Sequence, residues 1–233
     1  MDHQFPDPTM TFVTTAPHEL EPAPASMAER AYAAIQDQLI MLDIPPMSPI
    51  DDLALSDALG IGRTPVREAL KRLEVDRLVV SYPRRGTFAS GVDITDLAYI
   101  SDLRVHLEPL ASRRASENAP EAMRAKLTEL ADAIDDDDVM LTSRHELMQW
   151  DLRVHRSIYR AAGNPHLEDT LVRYNNLATR IFCVFLDRIT HFDRHVDEHV
   201  GLLRAVADGD SRQAEKIAED HVAGFEKAIR AIM

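Results

Sequence analysis

The stretch Ile61-Gly62-Arg63-Thr64-Pro65-Val66-Arg67-Glu68-Ala69-Leu70-Lys71-Arg72-Leu73 decides how the first third of the chain folds. It predicts one short helix over about residues 64–76. Thr64 is placed to cap it by accepting from a first-turn N–H. Pro65 suits the first helical position, where no donor is needed and φ is already near the helical value. Val66, Ala69, Leu70 and Leu73 recur at helical spacing as one apolar stripe. Arg63, Arg67, Lys71 and Arg72 lie off it, so the helix buries one side and turns cations outward. Phosphates and guanine edges suit such a surface, although a basic helix taken alone is more often a solvated surface helix.

On its N-terminal side, a second helix is expected at about 51–59, with Leu53, Ala54, Ala58 and Leu59 inward and Gly60 ending it. Two short helices joined by a tight Gly-containing turn, the second one basic, form a helix-turn-helix. On the other side, residues 78–82 read as a strand, Pro83-Arg84-Arg85-Gly86 as a turn, and Thr87-Phe88-Ala89 as a returning strand. That hairpin, with two arginines and a glycine at its tip, makes a wing. Further upstream, Ser26 with Glu29 three residues on has capping-box spacing, and a helix is expected to run to about Leu42. Ile44-Pro45-Pro46 ends it. Residues 1–26 carry five prolines and no periodicity, the pattern of a disordered arm.

Composition narrows the function classes. No run approaches the ~20 apolar residues of a membrane helix, and the N-terminus lacks a signal-peptide layout. A single cysteine, Cys183, rules out an internal disulfide framework and fits a reducing cytoplasm. Its apolar neighbours suggest a packed thiol. A net charge of -13 argues against indiscriminate coating of nucleic acid. Residues 63–85 reverse the balance, with seven bases against three acids, which favours docking on DNA by that face.

Residues 27–91 resemble the winged helix of the GntR family of bacterial transcription regulators. The segment from Gly60 to Leu73, Gly-x-Gly-Arg-Thr-Pro-Val-Arg-Glu-Ala-Leu-x-Arg-Leu, carries the resemblance. Gly62 stands where the family usually has Ser, Asp76-Arg77 replaces an acid-glycine pair before the wing, and Ile44-Pro45-Pro46-Met47 replaces a Pro-Gly turn. The resemblance implies homodimeric DNA binding, with Arg63, Thr64, Arg67 and Arg72 in the major groove and Arg85 and Gly86 at the minor groove or its backbone. Arg63 and Arg67 are the expected base readers, since guanidinium matches guanine O6/N7 bidentately. Pairing of Arg72 with a nearby acid remains equally open.

From residue 92 onward, helices are expected at about 94–117, 120–139, 142–162, 165–189, 192–208 and 211–232, making an all-α bundle of six or seven helices. The fold class is mainly α: an N-terminal winged helix-turn-helix over 27–91 and a helical domain over 92–233. Polar residues interrupt the inward stripes. Asp151 and His155 lie four apart among Leu147, Met148, Val154 and Ile158; His199 shares a face with Val196, Val200 and Leu203; His221 shares one with Ile217 and Phe225. A lone histidine there is ordinarily a hydrogen-bonded core residue. Three imidazoles and a carboxylate together must satisfy one another or a ligand, at a cost of about 1–3 kcal/mol for each left unpaired. A divalent transition metal (Zn, Ni, Mn or Fe) satisfies all four and keeps open positions. His191, His195 and His199 form a rival set spaced by four on one helix, in which His191 and His195 are taken as surface residues. The acid run Asp135 to Asp138 reads as a solvated helix end.

Residues 94–225 are similar to the FCD domain, the helical effector domain of one GntR branch. Arg104-x-x-x-Glu108, Asp151-x-x-x-His155, Ala162-Gly163-Asn164-Pro165, His199 and His221 carry this second resemblance. It implies the same four metal ligands and a small carboxylate effector, with Arg104 as its clamp. A salt bridge from Arg104 to Glu108 is nearly as well supported. The expected function is a cytoplasmic, ligand-responsive transcription regulator, in most such cases a repressor relieved by its effector, and not an enzyme. A metal-dependent hydrolase in the bundle is the alternative, and a self-satisfied structural cluster a third reading.

Overall fold

The computed structural model describes residues 25–135, 143–188 and 192–232. The expected arm lies outside them up to residue 24, as do the acid run past Asp135, His191 and the His195 side chain. Helix α1 (Met27–Ile40) opens on the expected capping box: Ser26 N–H donates to Glu29 at 2.7 Å and Glu29 N–H to Ser26 Oγ at 3.2 Å. A two-residue strand β1 (Pro49–Ile50) was not foreseen. Helix α2 (Asp52–Leu59) is capped by Asp51, and Gly60 ends it at φ 62°, a left-handed value that costs glycine nothing.

Helix α3 (Arg63–Val75) begins one residue earlier than expected, which corrects the Thr64 cap. Its N-cap is Gly62, which offers no side-chain acceptor, and Thr64 and Pro65 fall inside the first turn. The stripe holds: Val66, Ala69, Leu70 and Leu73 are all buried, and α3 packs on α1. The inward face of α2 is rotated from expectation. Leu55 and Leu59 face the core, Leu53 is 48% exposed, and Ser56 is buried because its hydroxyl donates to Ile61 O at 2.6 Å, closing the turn into α3. Strands β2 (Val79–Tyr82) and β3 (Gly86–Ala89) pair antiparallel with Tyr82 opposite Gly86, and β1 joins the other edge of β3. Arg77, where the resemblance led one to expect glycine, takes φ 63° regardless.

The remainder is helical: α4 (Asp96–Asn118), α5 (Glu121–Asp135), α6 (Arg144–Ala161), α7 (Pro165–Phe185) with a 3-10 turn at Leu186–Arg188, α8 (Phe192–Asp208) and α9 (Ser211–Ile232). The break before α7 is the expected one. Gly163 is left-handed, Asn164 accepts from the His166 and Leu167 N–H groups, and Pro165 sits in the first turn. Helix α4 runs along α9 and also touches α6, α7 and α8, so it lies at the centre of the bundle. No helix among the described residues is long and apolar enough to cross a membrane.

Arg180 on α7 joins the two parts. It is 2% exposed. Its Nε donates to Leu39 O of α1 at 3.0 Å, Nη1 to Ser90 Oγ at 2.6 Å and Nη2 to Ser90 O at 3.0 Å. Ser90 Oγ in turn donates to Arg77 O at 2.8 Å, at the end of α3. Burial pushes the guanidinium down to about 10, which leaves it charged at neutral pH. Arg180→Met keeps the stem but leaves these acceptors unpaired; it should lower stability by about 2–4 kcal/mol, read as the shift in a urea unfolding midpoint. An unmoved midpoint would show that the bonds add nothing.

Candidate DNA-reading face and metal centre

The middle of α3 and the wing share one groove of about 760 Å³, lined by Arg67 and Lys71 on one side and Gly86 and Thr87 on the other. Arg63, Thr64, Arg67, Arg85 and Gly86 are all exposed. Arg72, further along α3, points elsewhere: its guanidinium lies 4.1 Å from the centre of the Tyr32 ring, on the side facing the bundle. Asp52, in the first turn of α2, holds both expected base readers. Its Oδ1 accepts from Arg63 Nη2 at 2.9 Å and its Oδ2 from Arg67 Nε. The Arg67 hydrogen bond, with help from Arg63, keeps the carboxyl below its usual range. Nothing in the sequence marks Asp52 for this role, because the pairing spans the turn between two helices.

In the bundle, Asp151, His155, His199 and His221 come together. All four are buried, and each offers a ligand atom, the four lying within 4.8 Å of one another. Asp151 and His155 are one turn apart on α6; His199 comes from α8 and His221 from α9. His155 Nε2 and His199 Nε2 are 3.4 Å apart, and Asp151 Oδ1 is 3.4 Å from His199 Nε2 and 3.8 Å from His155 Nε2.

The outer partners set the tautomers. Glu108 Oε2 lies 3.2 Å from His155 Nδ1. An ionised carboxylate accepts only from a protonated nitrogen, so Nε2 keeps its lone pair for the centre of the cluster. Glu198 Oε2 does the same for His221, 3.1 Å from Nδ1. Burial alone would raise the Glu108 carboxyl, but Arg104 and His155 bring it down to about 2. Arg104 Nε donates to Glu108 Oε1 at 2.5 Å, the salt bridge expected beside the clamp reading. Tyr159 closes the group, its hydroxyl 3.2 Å from His155 Nδ1. Three imidazoles and one carboxylate aimed at one point suit a divalent transition metal in donor type and number. Glu108, one turn beyond Arg104, was legible as its partner. Its hold on His155, and that of Glu198 on His221, arise only when α4, α6, α8 and α9 pack.

A winged helix with exposed arginines on its second helix and wing, followed by a helical bundle, has the layout of a transcription regulator. Comparison with known proteins bears this out. Residues 27–89 match the model of bacterial regulatory proteins of the gntR family, and residues 99–224 match the FCD domain. The chain belongs to the GntR family and carries its FCD domain. Similar proteins include the transcriptional repressor GlaR of Escherichia coli, 25% identical over 82% of this chain and 90% of that protein. Another is a probable D-xylose utilization operon repressor of Paenarthrobacter nicotinovorans, 26% identical over 78% and 79%. Among solved structures, Escherichia coli McbR/YncC shares the fold with a TM-score of 0.77 at 20% identity, over 89% of this chain and 99% of that one. The first two are named as transcriptional repressors, and the family is one of transcription regulators, not of enzymes.

Two outcomes follow from the geometry. Asp52→Asn releases two cations, so binding to a random duplex should tighten about tenfold at low salt, with a steeper salt dependence; fluorescence anisotropy across a salt series measures both. Glu108→Gln loses the carboxylate that orients His155 and should weaken metal affinity by about 10–100-fold, read by competition with a chromophoric chelator.

Proposed function

We propose that the chain is a metal-assisted, effector-responsive repressor that binds a pseudo-palindromic operator as a homodimer. The observation that carries the sensing half is the convergence of four buried ligand atoms within 4.8 Å, drawn from three helices. Asp151, His155, His199 and His221 would hold a divalent transition metal such as Zn, Ni, Mn or Fe. When bound, that ion supplies Lewis-acid positions for a small carboxylate effector. Arg104 is the cation beside the cluster for such a carboxylate, which would compete with Glu108 for it.

On the DNA side, Arg63 and Arg67 read bases, while Thr64, Arg85 and Gly86 meet the backbone or minor groove. Arg72, stacked on Tyr32, serves the junction with the bundle in this arrangement. Tyr99 and Leu103 stand 70% and 41% exposed on α4, an apolar face suited to a second copy of the chain. Two relatives bear the name of repressor, which supports that sign of control.

An effector alters DNA affinity only if it distinguishes two placements of the winged helices. Helix α6 offers a connection. Asp151 and His155 face the cluster, and Arg156, the next residue, donates to Gln36 of α1 at 3.2 Å.

The test uses two variants and two readouts. Arg67→Ala should weaken binding to a duplex selected from a random library by about 10–100-fold, within the ~1–3 kcal/mol of a bidentate base contact, and leave the metal content unchanged. His199→Ala should lose the metal, measured by elemental mass spectrometry on purified protein, and keep most DNA affinity. Equal metal content in His199→Ala and the parent protein would overturn the sensing half; undiminished DNA binding by Arg67→Ala would overturn the other.

A further inference from the structure

Between the winged helix and the bundle, α1, α5 and α6 enclose a groove of about 500 Å³, separate from the histidine cluster. Its apolar lining comes from Met41 of α1, Met123 and Leu127 of α5, and Leu152 of α6. Around this stand Lys126, Arg153, Arg156 and Arg160, against a single acid, Asp37. On a chain with a net charge of -13 this is a local reversal. The three arginines follow one another at spacings of three and four, so they share a face of α6, while Lys126 stands on α5.

Their partners leave positive charge to spare. Among the described residues, neither Lys126 nor Arg153 has an acid within ion-pair distance. Arg153 instead lies over the Trp150 ring, 4.5 Å from its centre. Arg156 gives Nη2 to Gln36 and Asn176, at 3.2 Å each, and its Nη1 is 3.7 Å from Asp37. Its Nε is buried and meets no acceptor among the described residues. Arg160 shares Glu168 at 3.4 Å.

We propose that this groove is a second ligand site, for a phosphomonoester with a small apolar body. A doubly charged phosphate answers the cations Lys126 and Arg153, with the Arg156 guanidinium at the same groove, since guanidinium and ammonium together suit phosphate oxygens. The methionine and leucine lining takes the ester group. Arg156 already touches Gln36 and Asp37 of α1, so a phosphate that draws on it is linked to the seating of the winged helix. By reciprocity, occupancy of the groove changes DNA affinity.

The probe is phenyl phosphate, titrated into the full chain by calorimetry and by the fluorescence of Trp150, the single tryptophan. Saturable binding at one site per chain is expected, with a fluorescence change as Arg153 responds. Lys126→Ala and Arg153→Ala, both at exposed positions, should each weaken it about tenfold. Lys216→Ala, a cation on α9 paired with Asp220, should leave it unchanged. Absence of saturable heat, or equal weakening in Lys216→Ala, would mean only diffuse attraction to surface charge and would overturn the proposal. Undiminished binding in both Lys126→Ala and Arg153→Ala would overturn it too, by placing the anion outside this groove. These outcomes do not depend on whether the cluster holds a metal.

Discussion

A guanidinium with no carboxylate beside it among the described residues holds this molecule together. Arg180 is buried where the winged helix meets the bundle, and what offsets its desolvation is a set of backbone and hydroxyl oxygens. Two of its acceptors belong to Ser90, just past β3, and the third is a carbonyl near the end of α1. A charge placed this way tolerates little displacement, because each oxygen it loses must be replaced by another of similar quality. The junction is therefore specific in register as well as in contact.

That constraint gives α6 its place. Helix α6 packs on α7, the helix that carries Arg180, and it turns different faces to two neighbourhoods. Asp151 and His155 face the core with Val154 and Ile158, while Arg153, Arg156 and Arg160 face outward toward α1 and the groove. A rotation or slide of α6 that improves one side must disturb the other. Neighbouring residues of this one helix, His155 and Arg156, touch the cluster and α1 respectively.

Much of this was legible in the sequence, for reasons that differ by element. The ends of α1 and α7 are written in local chemistry: the Ser26–Glu29 box, and the Gly163-Asn164-Pro165 stop and restart. The face of α3 follows from its stripe. The four cluster residues stood out because polar side chains interrupt apolar faces on three helices, and burial then demands a shared partner. Other features were not legible. Strand β1 spans two residues and shows no period. The α2 face was misjudged because Ser56 is held inward by a bond to Ile61 O that only the turn geometry reveals. The Thr64 cap was misplaced because helical φ and ψ begin at Arg63 without one. Asp52, Glu108 and Glu198 take their roles from neighbours brought in by packing, which no spacing rule encodes.

Cys183 has a bearing on what kind of ion could live in the core. Burial, reinforced by the negative charge of Asp151, pushes its thiol up to about 12, so it stays protonated at neutral pH. The chain's sole thiol is also not among the four side chains whose ligand atoms gather at the cluster. The donor set remains nitrogen and oxygen, of intermediate hardness, and thiophilic cations such as monovalent copper find no sulfur anion to prefer it for.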